Sequence, residues 1–162
     1  MAEYQEQREL RGVGGWLGFL VFILAITTPI QILIETKAAV THAAIMAQLL
    51  GPNVPTYVQF SWALAAASVV GAIYLAYRLV AVHRRSTVGI VIVGLWCLYL
   101  LPAAIDAVVT WLLFPKTAGS MLLDALGSSA KGVIWATIWT TYLKASKRVA
   151  NTYGKDEAEA LT

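Results

Sequence analysis

The sequence is poor in the residues from which most catalytic and metal sites are built. Cysteine occurs once, as Cys97, and histidine twice, as His42 and His83, in 162 residues. A single cysteine excludes an internal disulfide bond, a CxxC redox motif and a thiolate metal site. The two histidines fall in predicted loops on opposite sides of a membrane and so do not predict a shared zinc or haem site. The composition therefore predicts no metal and no other cofactor, and it does not indicate an enzyme.

Charged residues are also scarce. They make up 13% of the chain, whereas 59% of the residues are hydrophobic; a soluble domain carries about 25% charged residues. The mean hydropathy is +0.68. These values predict a polytopic membrane protein that forms one domain over residues 1–162. The basic pI of about 9.1 does not indicate a nucleic-acid partner, because basic cytoplasmic loops account for it.

The sequence contains several long runs of apolar residues. A helix needs about 20 apolar residues to cross the hydrocarbon of a bilayer. The predicted spans are about 16–35, 60–82, 87–114 and 120–143, which gives an all-α integral membrane protein with a four-helix antiparallel bundle. The alanine-rich stretch Ala38–Leu50 predicts a short helix in the first outer loop. The fourth span is unusual because it contains Asp124 and Lys131, and intramembrane charges need partners on other helices.

Prolines and small residues indicate how these helices bend and pack. Pro29 lies in the middle of the first span and predicts a kink there, and Pro102 does the same in the third span. Small residues at spacings of four allow two helices to approach closely. They recur in two spans: Ala63, Ala67 and Gly71 in the second, and Gly132, Ala136 and Thr140 in the fourth.

The basic residues predict the orientation. Cytoplasmic loops carry an excess of lysine and arginine. The residues that fall on one side are Arg8, Arg11, Arg78, Arg84, Arg85, Lys144, Lys147, Arg148 and Lys155. Only Lys37 and Lys116 fall on the other side. Both termini are therefore predicted in the cytoplasm, with a cytoplasmic tail at 144–162 whose last eight residues we expect to be disordered.

Ionisable residues inside the spans form the strongest candidate site. At 1.5 Å per residue, Glu35, Asp106 and Asp124 each lie ~28 Å from the cytoplasmic start of their helix, near the outer boundary. Helical spacing places other polar side chains on the same faces: Gln31 with Glu35, Tyr99 with Asp106, and Ser128 with Asp124 and Lys131. We expect these faces to point inward. Lys131 is predicted to pair with Asp106, with Asp124 and Glu35 as competing partners.

Two interpretations of this cluster stay open. In the first, the charges fix which helices pack together, and the protein is a non-enzymatic membrane protein that acts through lipid or protein partners, including a second copy of itself. In the second, Glu35, Asp106 and Lys131 line an outward-facing polar pocket of a small transporter or ligand-binding protein. The basic residues at the cytoplasmic ends set the topology or contact anionic lipid headgroups. They are Arg84, Arg85, Lys144, Lys147 and Arg148.

Four stretches carry a resemblance to a known family. They are GVGGWL at Gly12–Leu17, the pair Ile105–Asp106, the segment Trp139–Tyr142, and above all SKRVANTY at Ser146–Tyr153. Together they resemble the small bacterial inner-membrane proteins grouped as domain of unknown function 2569. The resemblance implies four helices in a bacterial cytoplasmic membrane, and it implies no activity, substrate or catalytic residue. Lys131 stands where the family pattern has arginine.

Overall fold

The computed structural model describes residues 12–115 and 118–154, of which residues 118–126 and 128 are described by their backbone alone. This part of the chain is helical and contains no strand. Its α-helices are α1 (Trp16–Phe22), α2 (Thr28–Ile45), α3 (Ala47–Leu50), α4 (Val54–Ala81), α5 (Arg85–Leu113), α6 (Ala118–Ala145) and α7 (Lys147–Tyr153). A π-helical segment, Ile23–Thr27, joins α1 to α2 without a break.

Three continuous helices in the described residues are long and apolar enough to cross a membrane. They are Trp16–Ile45, Val54–Ala81 and Arg85–Leu113, with 30, 28 and 29 residues. At 1.5 Å per residue each measures ~42–45 Å, more than the ~30 Å of a bilayer core. By length and composition the chain is a membrane protein. Helix α6 has 28 residues and agrees with the predicted fourth span in its bounds, but it is less apolar than the other three.

The first helix is longer than predicted. We expected a span that ends near residue 35 and a separate helix over Ala38–Leu50, but α2 continues to Ile45 and only Ala47–Leu50 forms a turn of its own. Alanine is the best helix former and no proline or glycine interrupts the stretch. The helical run ends at Gly51, whose φ is 81°, a conformation that glycine adopts at little cost.

The predicted distortion at Pro29 takes the form of the π-helical segment. Proline lacks an N–H group, and its ring clashes with the carbonyl group four residues earlier, here that of Ala25. The five residues Ile23–Thr27 immediately before α2 form a wider turn, which is a recognised way for a helix to relieve such a clash. Pro29 itself is buried.

Helix α4 lies at the centre of the fold. It packs against α1 and α2 on one side and against α5 on the other, and α5 packs in turn against α6. The loop between α4 and α5 is short, and the Thr87 hydroxyl holds it by donating to the Val82 carbonyl at 2.8 Å. The main core lies at the end of the helices where Arg84, Arg85, Lys144 and Lys147 lie, which we call the basic end. Its buried members are Leu17, Leu20, Leu24, Leu75, Ala76, Leu79, Val91, Leu95, Trp139, Leu143, Val149 and Tyr153.

Only one of the two predicted stripes of small residues packs against a helix. On α6, a Cβ atom added at Gly132 would lie 3.1 Å from the Cβ of Tyr99 on α5, Ala136 is buried, and the Thr140 hydroxyl accepts from the Trp96 indole at 3.1 Å. On α4, by contrast, the stripe is open. Ala63 and Ala67 are exposed, and the buried small residues are Ser61, Ala65, Ala72 and Ala76. Spacing alone cannot select between two faces that both carry small residues.

Candidate functional site

The outer polar site centres on Asp106. Its Oδ1 atom accepts a hydrogen bond from the Tyr57 hydroxyl at 3.3 Å, and Thr110, one turn further along α5, also interacts with that hydroxyl. The Tyr57 ring packs edge-on against Phe114, with ring centroids 5.7 Å apart. Tyr57 comes from the first turns of α4, so this contact ties the start of α4 to the end of α5. Sequence analysis placed Tyr57 in a loop and missed it.

A second polar link joins the same two helix ends. The Asn53 side chain, just before α4, donates to the carbonyl of Leu113 at 3.1 Å. Leu113 is the last residue of α5, and its carbonyl has no partner within its own helix. Beside this link, Ala43 from α2 packs with Val54 and Phe114 in a small buried cluster. The outer ends of α2, α4 and α5 are therefore joined by apolar contacts as well as by hydrogen bonds.

Part of the polar face predicted on the first helix points away from the bundle interior. Gln31 donates to Glu35 at 3.0 Å, and both side chains are exposed. The face of α2 that is buried or half-buried carries Thr28, Ile32 and Thr36 instead. Gln31 and Glu35 lie one position before Ile32 and Thr36. Successive residues of a helix are rotated by about 100° around its axis, so Gln31 and Glu35 point away from the packed face. The expectation that Glu35 faces the bundle interior is therefore wrong.

Lys131 is exposed on α6. The packed face of this helix carries Gly132, Ala136, Trp139 and Leu143, all buried, and Lys131 lies one position away from it. Among the described side chains, no carboxylate oxygen lies within 4.0 Å of its ammonium nitrogen. A direct pair with Asp106 is thus not formed there, and Asp106 binds Tyr57 instead. The side chains of Asp124 and Ser128 lie outside the described part, so pairing of Lys131 with Asp124 stays a prediction.

Tyr99 joins three helices, about two turns from Asp106 along α5 toward the basic end. Its hydroxyl interacts with the buried Thr28 of α2, and its Cβ lies against Gly132 of α6. The described residues thus form two separate contacts, Asp106 with Tyr57 and Tyr99 with Thr28, and no common pocket lined by Glu35, Asp106 and Lys131. The described residues also contain no group of three or more histidine, cysteine, aspartate or glutamate side chains placed to bind a metal ion.

At the opposite, basic end, the C-terminal tail folds back under the bundle as α7. The hydroxyl of Ser146 caps the helix by accepting from the Val149 N–H at 3.5 Å. Val149, Thr152 and Tyr153 are buried. The Tyr153 hydroxyl donates to the carbonyl of Leu79 at 2.6 Å. Leu79 lies in the last turn of α4, where carbonyls lack intrahelical partners, so Tyr153 satisfies one of them.

The glycine-rich N-terminal loop packs on the same tail. The Gly12 N–H donates to the Thr152 hydroxyl at 3.2 Å, and a Cβ atom added at Gly14 would lie 2.8 Å from Nη1 of Arg148. Gly15, which precedes α1, has φ 57° and ψ −133°, a combination that residues with a Cβ rarely adopt. The loop therefore needs glycine at position 15 to begin the first helix at this angle, whereas a side chain at position 14 would require only the flexible end of the Arg148 side chain to move. We call the contact between residues 12–15 and α7 the terminal clasp.

Aromatic rings complete this end of the molecule. His83 stacks on Tyr153 with centroids 5.8 Å apart, and Trp139, which is 2% exposed, lies between Trp16 and Tyr142. Burial, together with the neighbouring Tyr142, raises the pKa of Tyr153 to about 12. The tyrosine is therefore neutral at physiological pH and available as a hydrogen-bond donor.

The two segments that meet in the terminal clasp are both among the stretches that resemble a known family. The sequence profile of a family described as "Protein of unknown function (DUF2569)" matches residues 10–154. The chain belongs to this family. The match covers the glycine loop, the long helices and α7, which confirms the resemblance read from the sequence. No curated protein and no solved structure matches the chain.

In this member of the family, one of the basic residues predicted at the cytoplasmic end packs against another part of the protein. Arg148 is half-buried against the glycine loop, whereas Arg84, Arg85, Lys144 and Lys147 are exposed at the same end of the helices. Sequence analysis did not foresee that the tail docks. A signal was present: Ser146 is followed by apolar residues at Val149 and Tyr153, the pattern of a capped helix with one apolar face.

An apolar groove runs along the outside of the bundle between α4 and α5. Its volume is about 680 Å³. The residues that line it include Ala67, Gly71 and Tyr74 on α4 and Gly89, Cys97 and Leu101 on α5. Gly89 leaves space at one end of the groove, because no atom lies within 4 Å of a Cβ placed there, whereas Gly94 packs closely against the Leu75 side chain. The unpacked small residues of α4 therefore form one wall of this groove.

Proposed function

We propose that the chain is a four-helix antiparallel membrane protein, folded as a single domain over residues 1–162, with both termini in the cytoplasm of a bacterium and its helices in the inner membrane. Helix α6 is the proposed fourth span. It has 28 residues, as many as α4, and it packs against α5, where the Trp96 indole donates to the Thr140 hydroxyl of α6. The basic residues at the ends of α4 and α6 support the cytoplasmic assignment through the positive-inside rule.

We infer that the protein is non-enzymatic and acts through lipid or protein partners inside the membrane. The observation that carries this proposal is the contrast between its two kinds of surface. The described polar side chains near the outer end hydrogen-bond to one another, as Tyr57 does to Asp106, whereas an apolar groove opens sideways between α4 and α5. A transporter would place polar groups around an accessible cavity, and the groove is lined mainly by apolar side chains.

The exposed basic residues at the cytoplasmic end suit anionic headgroups. Arg84, Lys144 and Lys147 project from three neighbouring helix ends, and each such residue near a membrane surface contributes about 1 kcal/mol of attraction to anionic lipid. We assign Arg148 a different role, because it packs on the glycine loop. Substitution of Lys144 and Lys147 should weaken lipid association and leave the fold intact.

Reporter fusions test the proposed topology. A reporter that is active only in the cytoplasm should be active after residue 162, and one that is active only in the periplasm should be active when inserted at Pro52, between α3 and α4. The opposite pattern would invert the orientation. If both sites lay on the same side of the membrane, the number of crossings between them would be even instead of three. That result would exclude the four-helix arrangement.

Binding to vesicles tests the role of the basic end. The purified full-length protein, held in nanodiscs of neutral lipid, should associate with vesicles that contain phosphatidylglycerol more strongly than with neutral ones, and Lys144→Glu with Lys147→Glu should reduce this difference. Lys37→Glu, on α2 at the other end of the helices, is the control, since it also replaces an exposed lysine by glutamate. Unchanged vesicle binding in the double variant would exclude headgroup contact by this part of the tail.

A further inference from the structure

The groove between α4 and α5 has a cation at one end. Arg78 lies one turn beyond Tyr74 on the same side of α4, toward the basic end. Its Nη1 atom lies 3.4 Å from the Tyr74 hydroxyl, and the guanidinium carbon lies 6.0 Å from the centre of the Tyr74 ring. Tyr74 lines the groove, so the guanidinium group stands at its basic end.

Arg78 has unused hydrogen-bonding capacity. Its Nε atom is buried and has no partner among the described residues, although the side chain as a whole is only half-buried. A buried donor without a partner is destabilising, so a ligand oxygen that bonded to it after a rotation of the side chain would remove that penalty. Guanidinium groups bind phosphate with two parallel hydrogen bonds.

The dimensions of the groove fit a lipid chain better than a protein helix. Its lining extends from Leu64 to Leu75 on α4 and from Gly89 to Ile105 on α5, which is ~17 and ~24 Å at 1.5 Å per residue. A bilayer core is ~30 Å thick, so one leaflet contributes ~15 Å. An acyl chain from the leaflet next to Arg78 spans most of the groove, whereas a transmembrane helix of a second copy needs a partner face along the whole core.

We propose that this groove binds one acyl chain of an anionic phospholipid, with the lipid phosphate on Arg78 and the Tyr74 hydroxyl. The inference deepens the proposed action through membrane partners by naming the site and the ligand class, and it depends on the proposed placement of α4 and α5 in the bilayer. Apolar contacts along Ala67, Gly71 and Leu101 hold the chain, and the arginine selects the headgroup.

Native mass spectrometry of the full-length protein tests the headgroup assignment. The protein is released from bilayers that contain equal amounts of phosphatidylglycerol and phosphatidylcholine with identical acyl chains. We expect retained phosphatidylglycerol to exceed phosphatidylcholine about five- to tenfold, the effect of one charge-assisted hydrogen bond. Arg78→Gln should bring the ratio close to one. Lys37→Gln is the matched control, since Lys37 is an exposed residue of the same charge on α2, away from the groove lining.

A second pair of measurements locates the lipid. Cys97 is exposed and lines the groove, so Cys97→Trp should fill it and reduce retention of both lipids. A phosphatidylglycerol with a photoactivatable group on its acyl chain should label the lining of α4 and α5 in the unmodified protein. This labelling requires no substitution. It therefore shows whether the lipid chain occupies the groove even if Arg78→Gln does not fold.

Several results would overturn the proposal. They are an equal retention of both lipids by the unmodified protein, a preference that survives Arg78→Gln, and photolabelling confined to other helices. A stable dimer that Cys97→Trp dissociates would assign the groove to a second copy of the chain. The test does not depend on which leaflet is cytoplasmic, so an inverted topology in the reporter experiment would leave it unaffected.

Discussion

The contact between Tyr153 and Leu79 provides the sharpest test of how the tail holds the bundle. Tyr153→Phe removes one oxygen atom and keeps the ring, so its packing with His83 and the core is unchanged. The carbonyl of Leu79, which accepts from Tyr153 at 2.6 Å, then lies at a buried position without that partner. An unsatisfied buried acceptor costs about 1–3 kcal/mol, and we expect the free energy of unfolding to fall by this amount.

Equilibrium unfolding in detergent micelles measures the change, with Tyr77→Phe as the matched control. Tyr77 lies on the same helix as Leu79 but is 62% exposed, so loss of its hydroxyl should change stability by less than about 0.5 kcal/mol. Hydrogen exchange of the amides in α7 should accelerate in Tyr153→Phe and not in Tyr77→Phe. Equal effects of the two substitutions on stability and on exchange would refute the reasoning.

The same tyrosine gives the stability a defined pH dependence. Its pKa is raised from 10.0 in the unfolded chain to about 12 in the folded one, so the folded state favours the neutral phenol. The resulting stabilisation is fully present below pH 10 and is lost as the pH rises toward 12. Tyr153→Phe should abolish this part of the alkaline loss of stability, which unfolding curves at a series of pH values measure directly.

Three further predictions concern Gly15, Gly132 and Asp106, and the same unfolding assay tests them. Gly15→Ala should destabilise the protein by about 1–3 kcal/mol, because the backbone conformation at this position strains residues with a Cβ. The control, Gly127→Ala, lies at an open helical position and should stabilise the protein by about 0.5–1 kcal/mol. Equal effects of the two substitutions would exclude backbone strain at Gly15. Gly132→Ala should cost about 1–3 kcal/mol by forcing α5 and α6 apart, and an unchanged stability would show that this interface is loose. Asp106→Asn keeps an acceptor for the tyrosine hydroxyl and should be nearly neutral. Asp106→Leu removes that acceptor and leaves Thr110 and Ser61 beside the hydroxyl, so it should cost about 1 kcal/mol; a large loss in both variants would show that the charge itself matters.

The terminal clasp joins two of the four stretches that carry the family resemblance. Residues 12–15 and 146–153 are far apart in the chain, yet Gly12 donates to Thr152 across a separation of 140 residues. Gly15 has a backbone conformation that favours glycine, and in the tail Ser146 caps α7 while Val149 and Tyr153 are buried.

The apolar runs by themselves determined where the helices lie. Predicted spans 60–82 and 87–114 differ from α4 and α5 by a few residues, because a bilayer-length run of apolar side chains leaves the backbone few alternatives to a helix. The error at the end of the first helix arose from Glu35 and Lys37. Charges mark where a helix leaves the hydrocarbon, but they do not end it, and α2 continues through an alanine-rich stretch in which nothing breaks its hydrogen bonds.

Only the tertiary structure decided which polar groups meet. Lys131 had three candidate partners by depth and charge, with Asp106 the first of them. The described partner of Asp106 is the neutral Tyr57, because the start of α4 lies beside the end of α5. Glu35 was at the right depth but on the wrong face of α2. Depth and helical face follow from residue number, whereas the neighbour of each face depends on how helices far apart in the chain are rotated against one another. That rotation is set by the sum of many packing contacts, such as Gly132 against Tyr99, and no single stretch of sequence contains it.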